Sequence, residues 1–238
     1  MVRAEMARAL VLTLLFAIGC STPAPAPAAT GGEPAAGGDA SADAVPVDPK
    51  LLDTEAANAT APDQYDVEFE TTEGTFVVTV HRDWAPIGAD RFYNLVAIGY
   101  YDDSAFFRVV QGFMVQFGIH ASPKVAAAWK PARIADDPRK QPNRRGTISF
   151  ANSGPNSRTT QVFINYSSHA QLDQMGFAPF GEVTRGFEVV QKLHSGYGDG
   201  PPNGPGPDQR DIERSGSSFL RKQFPELDWI ETAKIVSK

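Results

Sequence analysis

Hydrophobic and polar residues alternate most regularly on either side of Gly74, at 65–70 and 75–80. A period of two is typical of strands with one buried face, so these runs predict a β-hairpin. Shorter apolar runs predict further strands at 106–110, 113–117, 146–151, 161–165, 180–183 and 232–236. Many short strands with few helices favour a mainly β domain, either a barrel or a sandwich.

Helical spacing of apolar residues is limited to a few places. Pro86 can begin a helix that Gly99 ends, and residues 186–193 repeat the pattern. A short helix is expected near 218–223. The stretch 195–216 is rich in Gly, Pro and Asp and predicts a long loop. A surface insertion is the favoured interpretation of this loop, and a partner-docking loop is the alternative.

The first twenty residues have the layout of an export signal. Arg3 and Arg8 precede a predominantly apolar run at 9–19, and Cys20 follows small residues. This pattern predicts a secretory signal peptide at 1–20 that is too short to span a bilayer. The small residues before Cys20 resemble a bacterial lipobox, which implies lipidation of that cysteine. The alternative is a plain signal peptide in which Cys20 is incidental.

The composition changes again near residue 62. Residues 21–61 are mostly Ala, Pro and Gly, with six acidic residues, one lysine and no apolar periodicity. Such a segment cannot bury enough apolar surface to offset its ordering entropy, so it predicts a disordered tether. Residues 62–238 then form the folded domain. A lipid on Cys20 would hold this domain to a bacterial membrane, on the periplasmic or cell-surface face.

Charge and cysteine content exclude several classes of function. Residues 62–238 carry 19 basic and 21 acidic side chains, so the domain has no electrostatic footprint for nucleic acid. The single cysteine excludes an internal disulfide. The four histidines lie far apart without ligand spacing, so we expect exposed loop histidines and no metal site.

Three segments carry the candidate chemistry. The first, FFRVVQGFMVQ, embeds Arg108 among aromatic and β-branched residues, where an unpaired charge is costly. A structural salt bridge is one explanation for this arginine. The second segment, ISFANSGPNSRTTQVFIN, has a Gly-Pro-Asn turn between two strand-like runs, and the third is LDQMGFAPFGEV.

In this order and spacing, the three segments resemble the cyclophilin family. Its signature runs F-H-R-x-x-x-G-F-M-x-Q, then A-N-x-G-P before Q-F-F-I, then L-D followed by F-G-x-V. The likeness extends over 64–236. It implies a closed eight-stranded antiparallel β-barrel capped by two α-helices. It also implies peptidyl-prolyl cis/trans isomerisation of proline-containing polypeptides, without a metal or cofactor; we expect a monomer.

The resemblance assigns roles residue by residue. Arg108 corresponds to the family's catalytic arginine, and Gln116 to the glutamine that bonds the substrate and steadies the arginine. The proline pocket and its walls correspond to Phe113, Met114, Ala151, Asn152, Gln161, Phe163, Leu172 and Phe177.

Some positions depart from the family pattern. Phe107 replaces the histidine before the arginine, and Val162 replaces a phenylalanine. Phe117-Gly118-Ile119 stands where Gly-Gly-Asp is usual, which implies a different loop on the substrate side. Gln171 replaces a tryptophan that contributes to cyclosporin binding in the family, so weak cyclosporin affinity is expected.

Two functions therefore follow from the sequence. The first is an active isomerase that assists the folding of exported proteins. The alternative is a proline-peptide binding or chaperone module on the same barrel, in which turnover is incidental. Arg108 favours the first, because a guanidinium is dispensable for binding alone.

Overall fold

The predicted hairpin is formed by β1 (Gln64–Thr71) and β2 (Gly74–His81), which pair antiparallel along their whole length. Gly74 begins β2 with φ at 121°, a backbone conformation that favours glycine. The hairpin belongs to a computed structural model that describes residues 46–236. The signal peptide, Cys20 and residues 21–45 of the predicted tether lie outside the described residues.

The remaining strands extend the hairpin into one curled antiparallel sheet. They are β3 (Ser104–Ala105), β4 (Arg108–Val110), β5 (Met114–Phe117), β6 (Thr147–Phe150), β7 (Val162–Asn165), β8 (Pro179–Arg185) and β9 (Trp229–Val236). The order across the sheet is β3-β9-β1-β2-β8-β6-β7-β5-β4. The fold is therefore mainly β, as predicted, with nine strands in the described part of the chain.

The extra strand lies just before the predicted strand at 106–110, of which only Arg108–Val110 is observed. The run 106–110 was expected to be continuous, but Ser104 and Ala105 pair with β9, whereas Arg108 to Val110 pair with β5. Phe106 and Phe107 lie between these two pairings. The residue pattern could not show the short strand β3, because Ser104 and Ala105 precede the apolar run and are too few to show a period.

Five α-helices lie in the described residues, whereas the sequence pattern predicts three and the family resemblance implies two caps. They are α1 (Pro86–Ala97), α2 (Pro123–Trp129), α3 (Ala170–Gln174), α4 (Phe187–Lys192) and α5 (Gln209–Gln223). The helices predicted after Pro86 and at 186–193 are confirmed as α1 and α4, and the helix predicted near 218–223 is the end of α5. Helices α2 and α3 are too short to show a clear apolar period.

The prediction of a loop throughout 195–216 was wrong in its second half. Asp208 caps α5 because its side chain accepts a hydrogen bond from the Arg210 backbone N–H. Gly216, with φ at 65°, then interrupts the helix, and this kink hid the helical period from the sequence pattern. Ile212 and Leu220 of α5 are buried.

The main core lies between the sheet and the helices. Its largest fully buried side chains include Phe69, Phe76, Phe92, Phe117 and Phe180. Burying a phenylalanine of this kind contributes about 1.5–3 kcal/mol relative to leaving it exposed. Phe117 stands at the first position of the family's Gly-Gly-Asp. Because Phe117 is a central core residue, this substitution contributes to packing of the core.

A second cluster explains two further departures from the family pattern. Phe107 and Ile119 are buried with Ile212, Leu220 and Trp229. Residues of helix α5 therefore pack with Phe107 and Ile119, which stand where the family signature has a histidine and an aspartate.

The domain begins earlier than predicted. Asn94 donates to Ala59 O at 2.8 Å and accepts from Ala59 N at 2.9 Å, and Trp129 Nε1 donates to Leu51 O at 2.8 Å. The tether boundary at residue 61 is thus too late, since the chain packs on the domain from about residue 46. Side chains far away in sequence hold this segment, so its own composition could not reveal the contact. No helix within 46–236 has the length and apolar character needed to cross a membrane.

Candidate active site

Strand register brings the two predicted polar residues together. Arg108 on β4 lies directly opposite Gln116 on β5, and Gln116 lies opposite Phe163 on β7. Directly opposed residues in antiparallel strands have Cβ atoms about 4.5–5.5 Å apart, so long side chains at these positions meet. The sheet therefore places a guanidinium, an amide and an aromatic ring side by side.

A chain of hydrogen bonds runs along one side of the site, which we call the polar edge (Arg108, Gln116 and Gln161). Arg108 Nη1 donates to Gln116 Oε1 at 3.0 Å. Gln116 Nε2 in turn donates to Gln161 Oε1 at 2.8 Å. Each amide is thus oriented by its neighbour, and Gln116 presents its oxygen to the arginine.

Next to the polar edge lies the apolar pocket (Phe113, Met114, Phe163, Leu172 and Phe177). Met114, Phe163 and Leu172 are buried against one another, and Phe113 and Phe177 pack on them. The rings of Phe163 and Phe177 meet edge to face at 5.5 Å between centroids. The pocket opens into a groove of about 570 Å³.

Ala151 and Asn152 lie on the groove between these two surfaces. The Ala151 N–H donates to Gln161 O at 2.9 Å, which continues the sheet past the end of β6. The structure therefore brings every residue predicted for the site to one groove: Arg108, Phe113, Met114, Gln116, Ala151, Asn152, Gln161, Phe163, Leu172 and Phe177. Their individual roles stay predictions.

The sequence analysis missed a polar network around the buried Asn143. This network contacts the helix and loop that carry Leu172 and Phe177 of the apolar pocket. Asn143 accepts from Ser149 Oγ at 3.0 Å and donates through Nδ2 to Asp173 Oδ1 and to Phe177 O, both at 2.9 Å. Burial acts to raise the pKa of Asp173, but hydrogen bonds from the Asn143 backbone and side chain outweigh it and lower the pKa. Asn143 thereby ties α3 and the following loop to the sheet.

His169 is a second missed contributor. Its Nε2 lies 2.9 Å from Phe113 O, and its ring meets the Phe113 ring edge to face at 4.8 Å. The expectation of exposed loop histidines was wrong for His169 and His120, which are both buried. A lone histidine before a short helix gave no pattern from which this contact could be found.

The third missed residue is Asp199, in the loop between α4 and α5. Its carboxylate accepts from Arg108 Nε at 2.7 Å and from Arg108 Nη2 at 2.9 Å. The bonds from Arg108 lower the pKa of Asp199, so the carboxylate is ionised near neutral pH. An acidic residue in a Gly- and Pro-rich loop was visible in the sequence, but nothing indicated that it meets Arg108.

Metal ligands do not converge in the described residues. Within 46–236, no three His, Cys, Asp or Glu side chains come together as a possible metal site.

Comparison with known proteins places these residues in a family. The family model described as "Cyclophilin type peptidyl-prolyl cis-trans isomerase/CLD" matches residues 66–212. The chain belongs to this family. The matched range contains every predicted groove residue and also Asp199, whereas most of α5 and all of β9 lie beyond it.

Curated relatives carry the same family name. Peptidyl-prolyl cis-trans isomerase CYP18-1 of Arabidopsis thaliana is 36% identical over 141 residues, which cover 57% of this chain and 88% of the relative. Peptidyl-prolyl cis-trans isomerase A of Dickeya dadantii is 36% identical over 128 residues, covering 52% and 67%.

A solved structure supports the fold independently. The cyclophilin-type peptidyl-prolyl cis-trans isomerase of Cryptosporidium parvum aligns with a TM-score of 0.52 and 22% sequence identity, covering 74% of this chain and 99% of that one. At this level of identity the likeness shows that the fold is cyclophilin-like.

Proposed function

We propose that this cyclophilin is an active peptidyl-prolyl cis/trans isomerase in which Arg108 is the catalytic residue. The observation that carries this proposal is the placement of the Arg108 guanidinium beside an apolar pocket. Three of its N–H groups bond Gln116 and Asp199. Since a guanidinium has five N–H groups, one on each terminal nitrogen is left for a substrate.

The reaction needs a group that stabilises a twisted amide. Rotation about a peptide bond has a barrier of about 18–20 kcal/mol, because the nitrogen lone pair is delocalised into the carbonyl. At the twisted transition state this delocalisation is lost, and the prolyl nitrogen becomes a hydrogen-bond acceptor. A fixed Arg108 N–H aimed at that nitrogen binds the transition state more strongly than the planar ground state, and this difference accelerates the reaction.

The apolar pocket supplies a second contribution. A planar amide is more dipolar than a twisted one, so transfer from water to an apolar wall disfavours the ground state. Phe113, Met114 and Phe163 contact the proline ring and hold it in place while the preceding carbonyl rotates. No proton moves and no covalent bond forms, so the groove needs no nucleophile or general base.

The remaining groove residues orient the peptide on either side of the proline. Gln116 offers its amide to the substrate while it steadies Arg108, and the backbone at Ala151 and Asn152 lies beside the pocket. A second solved structure of the Cryptosporidium parvum protein was obtained in the presence of the dipeptide Ala-Pro. This supports proline-containing peptides as the ligand class.

The decisive experiment measures exchange of an Ala-Pro-Phe peptide by NMR, with the purified full chain added in catalytic amount. We expect the wild type to merge the cis and trans signals. Arg108→Ala removes a charge-assisted bond worth about 1.5–3 kcal/mol, so kcat should fall roughly ten- to a hundredfold while the peptide still binds. Arg139→Ala, which removes a charge outside the groove, serves as the control.

The outcomes separate the two candidate functions. If neither wild type nor variant accelerates exchange but both bind the peptide, the protein is a proline-recognising module and the isomerase proposal is wrong. Equal turnover in Arg108→Ala and wild type would show that the assigned role of the arginine is wrong.

We further propose that the domain is exported and held to a bacterial membrane by a lipid on Cys20, where it assists the folding of exported proteins as a monomer. The N-terminal sequence pattern supports this. Cys20→Ser should move the chain from the membrane fraction to the soluble fraction, and a variant that stays in the membrane fraction contradicts the anchor.

We also propose that β3 and β4 are two halves of one strand that closes the sheet into an eight-stranded barrel. They occupy the two ends of the sheet order, and only Phe106 and Phe107 separate them. The Phe106 N–H donates to Asp228 O at 3.0 Å, which continues the β9 pairing. Slow amide exchange at Phe106 and Phe107 is expected, and fast exchange typical of an open edge contradicts closure.

A further inference from the structure

The loop at 193–208 approaches Arg108 from outside the strands that form the groove. Asp199 holds the guanidinium through two hydrogen bonds, accepting one from Nε and one from Nη2. Paired bonds between a carboxylate and the flat guanidinium fix its plane as well as its position. About a quarter of each side chain is exposed, so water competes only in part with this ion pair.

The loop is built around Asp199. The Gly206 N–H donates to Asp199 O at 2.8 Å, and the Gly200 N–H donates to Asp199 Oδ1 at 2.8 Å. A Cβ at Gly204 would overlap Asp199 O, and one at Gly206 would lie only 2.8 Å from it. The two glycines therefore let the chain close around the aspartate.

Asp199 contacts Arg108 from the side away from the proline groove. The groove that contains the apolar pocket is lined by Arg108 but not by Asp199. A second cavity, lined by Phe107, Asp199 and Pro207, adjoins Arg108 separately. Asp199 is thus placed to hold the arginine without occupying the space that a proline ring would fill.

We propose that Asp199 is a positioning residue that fixes the Arg108 guanidinium for catalysis. It occupies Nε and one N–H of Nη2, and Gln116 occupies one N–H of Nη1. Each of the three guanidinium nitrogens then donates one hydrogen bond, which fixes the orientation of the remaining free N–H groups. A donor that is already oriented in the ground state needs no rearrangement when the prolyl nitrogen becomes an acceptor.

The Asp199 carboxylate also has an effect on Arg108 that acts in the opposite direction. A carboxylate partly neutralises the guanidinium, and this weakens its attraction for the prolyl nitrogen. If that effect dominated, removing Asp199 would raise kcat. The positioning role predicts the reverse, since misplacement of a catalytic group by about 1 Å can cost as much as a hundredfold in rate.

The inference rests on the proposed isomerase function and is tested by exchange kinetics on the full chain. Asp199→Asn keeps the size of the side chain and one acceptor oxygen, so the loop can remain closed. We expect kcat to fall about tenfold, with peptide Kd unchanged within about twofold. Asp211→Asn makes the same change in charge at an exposed pair with Arg214 and should keep the wild-type kcat.

A spectroscopic measurement distinguishes positioning from general destabilisation. In ¹⁵N-labelled wild-type protein, the Arg108 Nε–H should show slow exchange with solvent, because it donates to a carboxylate. In Asp199→Asn this signal should move and exchange faster, while the amide signals of β4 and β5 keep their positions. Movement of those strand signals would show a structural defect and contradict a positioning role.

Gly204→Ala provides a second variant that leaves the charge intact. The added Cβ displaces the Asp199 backbone, so kcat should fall as in Asp199→Asn although the carboxylate is still present. Wild-type kcat in both variants, or a raised kcat in Asp199→Asn, overturns the inference. An inactive wild type instead contradicts the proposed function itself, so the two failures are distinguishable.

Discussion

The polar edge and the apolar pocket share one groove but are held in place by different means. Arg108 and Gln116 are directly opposed across β4 and β5, so strand pairing alone brings them together. Leu172 and Phe177 lie on and after the short helix α3, which is attached through hydrogen bonds to both the side chain and the backbone of Asn143. The polar edge is thus positioned by strand pairing, whereas two of the five residues of the apolar pocket are attached to the sheet through Asn143.

Because of this difference, we expect the polar edge to determine mainly the turnover rate and the apolar pocket mainly the peptide affinity. In the proposed mechanism the polar edge directs a charged donor toward the prolyl nitrogen, and that contact gains strength only as the amide twists. In the same mechanism the apolar pocket holds the proline ring in the cis, trans and twisted states alike, and its effect on the planar amide adds a smaller contribution to turnover. Changes at the polar edge should therefore lower kcat, and changes in the apolar pocket should weaken affinity.

Arg108→Lys should produce the largest effect. A lysine keeps the charge but lacks the planar fork, so it cannot bond Gln116 and both oxygens of Asp199 together. We expect kcat to fall roughly ten- to a hundredfold, with peptide affinity unchanged within about threefold. Exchange NMR measures both quantities. Arg139→Lys is the matched control, and a Lys variant with wild-type kcat would show that charge alone suffices.

Leu172→Ala should have the next largest effect, this time on affinity. Its side chain is buried in the apolar pocket. Burial of a leucine side chain contributes about 1.5–3 kcal/mol, and we expect part of this free energy to come from contact with the bound proline ring. Peptide Kd should weaken about tenfold, because that factor corresponds to about 1.4 kcal/mol.

Titration calorimetry and exchange kinetics check this prediction together. The rate at saturating peptide should stay within about threefold of wild type. Ile87→Ala removes an aliphatic side chain that is 38% exposed outside the groove, and it serves as the control. A loss confined to kcat would contradict the division between the two surfaces.

Asn143→Ala tests the attachment of the apolar pocket. It removes hydrogen bonds to Asp173, Ser149 and Phe177 O from a buried position. Leaving such groups without partners costs about 1–3 kcal/mol, so the free energy of unfolding should fall by that amount. Urea unfolding measures it, with Gln141→Ala in the same loop as control. Unchanged stability would show that α3 is held by other contacts.

The same contrast explains which residues could be predicted from the sequence. The positions of residues on strands can be predicted from the alternation of apolar and polar residues. The motifs around Arg108 and Gln161 also have a spacing that resembles a known family. The hairpin, α1, α4 and the predicted groove residues were therefore accessible. These features depend on neighbours along the chain or on directly paired strands.

Other features depend on contacts between distant segments. Asp199 meets Arg108 across 91 positions of sequence, and Asn143 meets Asp173 across 30. Residues 46–61 are held by Asn94 and Trp129, although their own composition is that of a tether. No local pattern encodes such pairs, so the loop 195–216 and the tether boundary were both assigned wrongly.

Asp173→Asn should show the smallest effect, confined to acid pH. Hydrogen bonds from Asn143 keep the pKa of Asp173 below its ordinary value despite partial burial. In the acid range below the ordinary aspartate pKa, the unfolded chain therefore binds a proton that the folded chain does not, and stability falls as the pH decreases. Asparagine cannot titrate, so the variant should lose less stability than wild type in this range.

Urea midpoints at pH 7, 5 and 3 measure that difference. Between pH 7 and 5 the carboxyl is ionised in both states, so wild type and variant should change in parallel. Between pH 5 and 3 wild type should lose more, and Asp211→Asn, at an exposed pair on α5, controls for the lost charge. A variant that follows wild type over the whole range would show that Asn143 holds α3 without depending on the Asp173 charge. The apolar pocket would then be attached through bonds that do not depend on that charge, such as those from Asn143 Nδ2 to Phe177 O and from His169 N to Asn143 O, and its attachment would be as insensitive to acid as the strand pairing of the polar edge.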